Sequence, residues 1–88
     1  MSVPCPCCGY DTLTALGNYE ICPICCWEDL PAADFGMRIT SNGVTLLQAQ
    51  RNFLTYGACE EAFRTLGRPP SATDQRSADW QPLDVRLP

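Results

Sequence analysis

Cys5-Pro6-Cys7-Cys8-Gly9 and Cys22-Pro23-Ile24-Cys25 repeat one pattern, C-P-x-C, with the 13 residues from Gly9 to Ile21 between them. A C-x2-C turn sets two sulfurs on one side of an ion. Its backbone N–H groups point at the first sulfur and spread the thiolate charge. Pro after the first Cys removes an N–H that this turn does not use. Gly9 accepts the positive φ that such a knuckle favours. Cys26 stands in the matching place of the second knuckle, which predicts a different turn there. Two such pairs point to a closed thiolate tetrahedron, with metal–sulfur distances near ~2.3 Å. The expected ligands are Cys5, Cys8, Cys22 and Cys25. Zinc is the expected ion, one per chain, and iron in a rubredoxin-like site is the second choice. Ligand sets using Cys7 or Cys26 stay open. Cys7 gives a C-x-C pair that fits one ion poorly, and Cys26 gives C-x3-C. Cys59 becomes a candidate if Cys26 displaces Cys25.

The spacer alternates as strands do at Tyr10–Leu13 and Tyr19–Ile21, with a turn signal at Leu16-Gly17-Asn18. This predicts a β-hairpin with one cysteine pair near each end. Downstream, Thr45-x-x-Gln48 fits a capping box: the Thr45 hydroxyl accepts from the Gln48 N–H and the Gln48 side chain reaches back. Leu46, Ala49, Phe53 and Tyr56 share a face of the helix that follows, with Leu47 and Leu54 beside it. Gly57 sits where a left-handed cap belongs. Residues 58–66 read as a second, shorter helix that stops at Gly67. Leu46, Leu47, Phe53, Leu54, Tyr56, Phe63 and Leu66 are core candidates, and the same set would serve a dimer. The chain divides into a knuckle hairpin (1–30), a connection (31–44), a helical segment (45–66) and a Pro-rich tail (67–88), all one domain. In the tail, Trp80 and Leu83 lie among polar residues, which reads either as disorder or as a segment whose Trp80 folds back on the core or onto a partner. The fold class is a small metal-stabilised α+β domain: a zinc-ribbon-like hairpin, one or two helices and a partly ordered tail.

Composition narrows the function. The 88 residues hold seven Cys, no His and no Lys. A catalytic His, a mixed Cys/His finger and a Schiff-base lysine are therefore excluded. A chain this short buries well under ~70% of its unfolded surface, so a metal would supply stability that the core lacks. Ten carboxylates against six Arg give a formal charge of −4. Four thiolates subtract four more charges and a zinc dication returns two, for −6. That argues against nucleic acid, which needs a basic stripe. The N-terminus shows no basic region followed by an apolar one, and no apolar run approaches the ~18 residues that span a bilayer. The expected location is cytoplasmic, where clustered cysteines bind metal or do redox chemistry.

Three blocks carry a resemblance: Pro4-Cys5-Pro6-Cys7-Cys8-Gly9-Tyr10, the run from Tyr19 to Asp29, and Asn42-Gly43-Val44-Thr45-Leu46. Asn52-Phe53, Tyr56-Gly57-Ala58-Cys59 and Arg68-Pro69-Pro70 extend it. Together, over about residues 3–70, they resemble the bacterial cysteine-rich CPCC family. The resemblance implies a small, zinc-ribbon-like, metal-binding protein. Cys26 stands where the family pattern implies an aromatic such as Phe, so position 26 reads as a packing site and an extra thiol.

The favoured function is a non-enzymatic zinc-binding module that recognises a protein, as monomer or homodimer. One version is an immunity protein or antitoxin that neutralises a basic toxin. Helix, tail and the Trp27-Glu28-Asp29 segment would present the surface, with Trp27 over the knuckle and both carboxylates solvated. The alternative is thiol redox or metal sensing by Cys7 (in an exposed knuckle), Cys26 or Cys59. An enzyme is disfavoured. Four thiolates close the metal, and the adjacent pairs Glu28/Asp29 and Glu60/Glu61 make poor acid/base partners.

Overall fold

Each cysteine knuckle closes a hairpin of its own. In the computed structural model, which describes residues 2–30 and 43–82, β1 (Val3–Pro4) pairs antiparallel with β2 (Asp11–Leu13) across the first knuckle. Val3 faces Leu13 and Pro4 faces Asp11, so Thr12 is a one-residue bulge on β2. Ile21 bridges Glu28 across the second knuckle. The expected pairing of Tyr10–Leu13 with Tyr19–Ile21 does not occur, for a local reason. The C-P-x-C turn is itself the hairpin turn, so each strand finds its partner at once.

The intervening loop is shaped by side chains. The Gly17 amide donates to Asp29 Oδ2 at 2.6 Å, and the Thr14 amide and hydroxyl both donate to Glu20 Oε1 at 2.8 Å. Tyr19 adopts a positive φ of 60°. A tight two-strand turn at 16–18 would break these bonds.

α1 (Leu46–Tyr56) follows. The Thr45 hydroxyl accepts from the Gln48 amide at 3.1 Å, which is half of the capping box. The Gln48 side chain turns forward instead and donates to Asn52 Oδ1 at 2.9 Å. Gly57, at φ 79°, donates to the Phe53 carbonyl and ends the helix in the left-handed cap. The connection predicted at 31–44 lies outside the described residues except for its last two.

The second helix is reduced to one 3-10 turn, Glu61–Phe63. The Cys59 amide is drawn to the Cys25 carbonyl at 2.8 Å and Glu60 is extended. Helical hydrogen bonding therefore cannot run through residues 58–60. At the far end Gly67 packs on the Ile24 carbonyl so closely that a Cβ would collide with it.

The core is built on the cysteines. Leu13, Ile24, Trp27, Leu46 and Ala49 pack around six buried Cys. Phe53 and Phe63 pack against this cluster half-buried. Of the predicted core, Leu54 and Tyr56 are exposed because α1 meets the knuckles through its first two turns, and Leu66, beyond the 3-10 turn, is exposed as well. Among the described residues, no helix is long and apolar enough to cross a membrane.

Residues 75–80 return to the first knuckle. Tyr10 bridges Arg76, the Asp11 amide donates to the Gln75 carbonyl and the Ser77 amide to the Gly9 carbonyl, both at 2.8 Å. Trp80 is half-buried against Gly9. The Trp80 contact expected from sequence is therefore with the core. Leu83 lies outside the described residues.

Candidate metal centre

The two knuckles have the same backbone. In the first, the Cys5 amide donates to the Tyr10 carbonyl and the Gly9 amide to the Cys5 carbonyl, at 2.9 and 2.8 Å. In the second, the Cys22 amide donates to the Trp27 carbonyl and the Cys26 amide to the Cys22 carbonyl, both at 2.9 Å. Gly9 has φ 81° and Cys26 has φ 68°. The expectation of a different second turn is thus corrected. Cys26 takes the left-handed conformation that Gly9 takes, at a strain of roughly 1–2 kcal/mol for a residue with a Cβ.

This duplication brings Cys5, Cys8, Cys22 and Cys25 together. All four are buried, and their sulfurs lie within 4.8 Å of one another. Two of the separations are 3.6 Å (Cys5–Cys25) and 3.8 Å (Cys8–Cys22). A tetrahedron with metal–sulfur bonds of ~2.3 Å has sulfur–sulfur edges of about 3.8 Å. The sulfurs are far from the ~2.05 Å of a disulfide, and all seven cysteines are free. The donor set fits a tetrahedral metal ion. Hydrogen bonding among the sulfurs divides Cys5, Cys22 and Cys25. Donation to Cys22 pushes the Cys5 and Cys25 thiols up, while the bonds Cys22 accepts from Cys25, Cys5 and Cys8 pull its own down. A dication at the centre would let all four ionise.

The bulge at Thr12 aims a hydroxyl at this centre, with Oγ1 3.1 Å from Cys22 Sγ. A donor beside a ligating sulfur stabilises the thiolate. The Thr12 role was not read from the sequence, because a bulge depends on strand register.

The other three cysteines stand outside the group. Cys7, expected in an exposed knuckle, is fully buried, and its Sγ donates to the Ala49 carbonyl at 3.4 Å. It faces the helix because successive residues of the turn point to opposite sides. Cys26 is half-buried beside Gly67, and burial raises its thiol. Cys59 is buried, and burial pushes its thiol up to about 12.

The knuckle carbonyls are satisfied from downstream. The Pro6 carbonyl accepts from Gln50 Nε2 at 2.9 Å and Trp80 Nε1 at 2.8 Å, and the Cys8 carbonyl from Arg76 Nε at 2.9 Å. The matching carbonyls of Pro23 and Cys25 accept from the Arg68 and Cys59 amides, at 3.1 and 2.8 Å. Gln50 is a buried polar residue that the apolar pattern of the helix did not single out.

Trp27 is fully buried and donates from Nε1 to Asp29 Oδ1 at 3.1 Å. Asp29 is only 1% exposed, so the expectation of a solvated carboxylate fails there. Asp29 instead accepts from Trp27 and Gly17 and fixes the loop over the second knuckle.

A family model described as "Cysteine-rich CPCC" matches residues 3–74. The chain belongs to the cysteine-rich CPCC family. The match contains both knuckles, α1 and the 3-10 turn, and it ends one residue before the segment that returns to the first knuckle. A search of curated proteins finds no match.

Proposed function

We propose that this CPCC protein binds one zinc ion structurally and acts, without catalysis of its own, as a protein-recognition module. The observation that carries the metal reading is the buried set of four sulfurs within 4.8 Å. Zinc is preferred over iron because closed tetrahedral thiolate sites are its usual structural form. Four protein ligands leave no position for water or substrate, which supports a structural role.

The recognition role draws support from the surface between the knuckles. Leu16, Tyr19 and Ile21 are about 60% exposed on one short loop. That loop is held by the buried Asp29 carboxylate, and pre-organised apolar groups bind at lower entropic cost. Residues 1–30 hold Asp11, Glu20 and Glu28 at partly exposed positions and contain no Arg or Lys. The partner that fits is a basic protein surface. An immunity protein or antitoxin against a basic toxin is the specific form of this reading, since charge complementarity speeds association and sharpens specificity. The thiol-redox alternative has less support, because burial raises the Cys26 and Cys59 thiols and reactive cysteines need the opposite shift.

The test is native mass spectrometry with metal analysis and thiol titration on one sample. One zinc per chain, with Cys5, Cys8, Cys22 and Cys25 unreactive until the metal is chelated, supports the reading. Metal-free folded protein contradicts it. The recognition role is tested by affinity capture from native cells with the wild type and with Leu16→Ser and Tyr19→Ser. A partner retained equally by both variants contradicts the loop's part in it.

A further inference from the structure

We infer that residues 75–80 are a clamp on the first knuckle, with Arg76 and Trp80 as positioning residues, so that the centre opens from its Cys5–Cys8 side. The two knuckles share one backbone but are held by different means. The second is held by backbone amides of Cys59 and Arg68, within the family-matched segment. The first is held by side chains: Gln50 Nε2 from α1 shares the Pro6 carbonyl with Trp80 Nε1, and Arg76 Nε takes the Cys8 carbonyl, Trp80 and Arg76 reaching in from beyond the matched residues. Backbone bonds on the Gly9 carbonyl and Asp11 amide complete the clamp.

Arg76 ties the clamp to the rest of the fold. Its guanidinium carbon lies 4.5 Å from the Trp80 ring centroid, 5.2 Å from that of Tyr10 and 5.9 Å from that of Phe53. Those rings belong to the clamp, the first knuckle's hairpin and α1. Gly9 is part of the same device. A Cβ there would stand 2.6 Å from Trp80 Cγ and Cδ2, so the ring is seated directly on the knuckle backbone. Upstream, Arg68 and Asp74 pair at 2.6 Å and fix where the segment starts its return. A late segment held by a few part-buried bonds opens more readily than a core element. When this one opens, the Cys8 carbonyl loses Arg76 and the Pro6 carbonyl is left with Gln50 alone, while the second knuckle keeps its partners.

The inference rests on the metal reading for one of its two tests. In the first, zinc-loaded full-length protein is mixed with a chelator and an alkylating reagent, and labelled cysteines are located by mass spectrometry. Cys5 and Cys8 are expected to label before Cys22 and Cys25. Trp80→Ala and Arg76→Ala are expected to release zinc about five- to tenfold faster, each having lost one hydrogen bond and its packing. Leu54→Ala, at an exposed helix position, is expected to stay within about twofold of wild type. Equal release by all three variants, or labelling of the second pair first or together with the first, overturns the clamp.

The second test needs no metal. Amide exchange is read by NMR at Gly9 and Cys26, which make the same bond in the two knuckles. Trp80→Ala is expected to speed Gly9 alone. Equal acceleration at both sites means that Trp80 only stabilises the whole fold, and the clamp is wrong. Protein that holds no zinc contradicts the metal reading, and the amide comparison still decides the clamp.

Discussion

Gly9→Ala and Gly57→Ala form a matched pair that weighs the Trp80 contact. Both glycines sit in the left-handed region, at φ 81° and 79°. An Ala at either position carries a strain of roughly 1–2 kcal/mol. A Cβ on Gly57 meets nothing within 4 Å, so strain is the whole cost. A Cβ on Gly9 meets the Trp80 ring at 2.6 Å and must displace it. The Trp80 Nε1 bond to Pro6 is then lost, at about 1 kcal/mol, with about 1–2 kcal/mol of ring packing. Gly9→Ala should therefore cost about 3–5 kcal/mol against roughly 1–2 for Gly57→Ala. That is a large share of the ~5–15 kcal/mol typical of a small domain. The assay is urea unfolding at fixed free zinc, followed by far-UV circular dichroism, in wild-type and Trp80→Ala backgrounds. In Trp80→Ala the cost of Gly9→Ala should fall to that of Gly57→Ala. Equal costs for the two glycines in the wild-type background would refute the seating of Trp80 on the knuckle.

Other outcomes follow from single contacts. Thr12→Val removes the hydroxyl 3.1 Å from Cys22 Sγ, and chelator competition should show zinc affinity lower by about tenfold. Asp29→Ala leaves the Trp27 indole and the Gly17 amide without their acceptor, and should cost about 2–4 kcal/mol in urea unfolding with a changed near-UV signal from Trp27. The Cys59 thiol is raised by burial to about 12, so the folded state favours its neutral form. Its contribution is complete below the ordinary thiol value near ~8.5 and is lost as pH rises from there toward 12. Unfolding curves between these limits should fall less steeply with pH in Cys59→Ala than in wild type.

The knuckles were legible because their chemistry is local. Cys at i and i+3 can share an ion whatever the rest of the chain does, and Thr45 and Gly57 bound α1 through contacts a few residues away. What failed needed distant partners. The Tyr10–Leu13 and Tyr19–Ile21 runs alternate correctly as strands, but alternation does not name the partner strand. Residues 58–66 have helical spacing, yet Cys59 is drawn to Cys25 and Gly67 to Ile24 across the fold. Asp29 beside Glu28 looks like solvated charge, and its burial follows from a loop amide twelve residues upstream. Arg76 and Trp80 lie in a polar tail and show their role only when it meets the first knuckle. Cys26 left a readable signal: it occupies the Gly9 position of a repeated motif, so the same positive φ could have been expected of it.

X-ray absorption at the metal edge of the purified protein reads the ligand set itself. The expected spectrum is that of zinc with four sulfur neighbours near ~2.3 Å and no nitrogen or oxygen in the shell. Cys8→Ser or Cys25→Ser should replace one sulfur by a lighter atom or empty the site. A shell of mixed sulfur and oxygen in the wild-type protein, or four sulfurs that survive these substitutions, would contradict the assignment of Cys5, Cys8, Cys22 and Cys25.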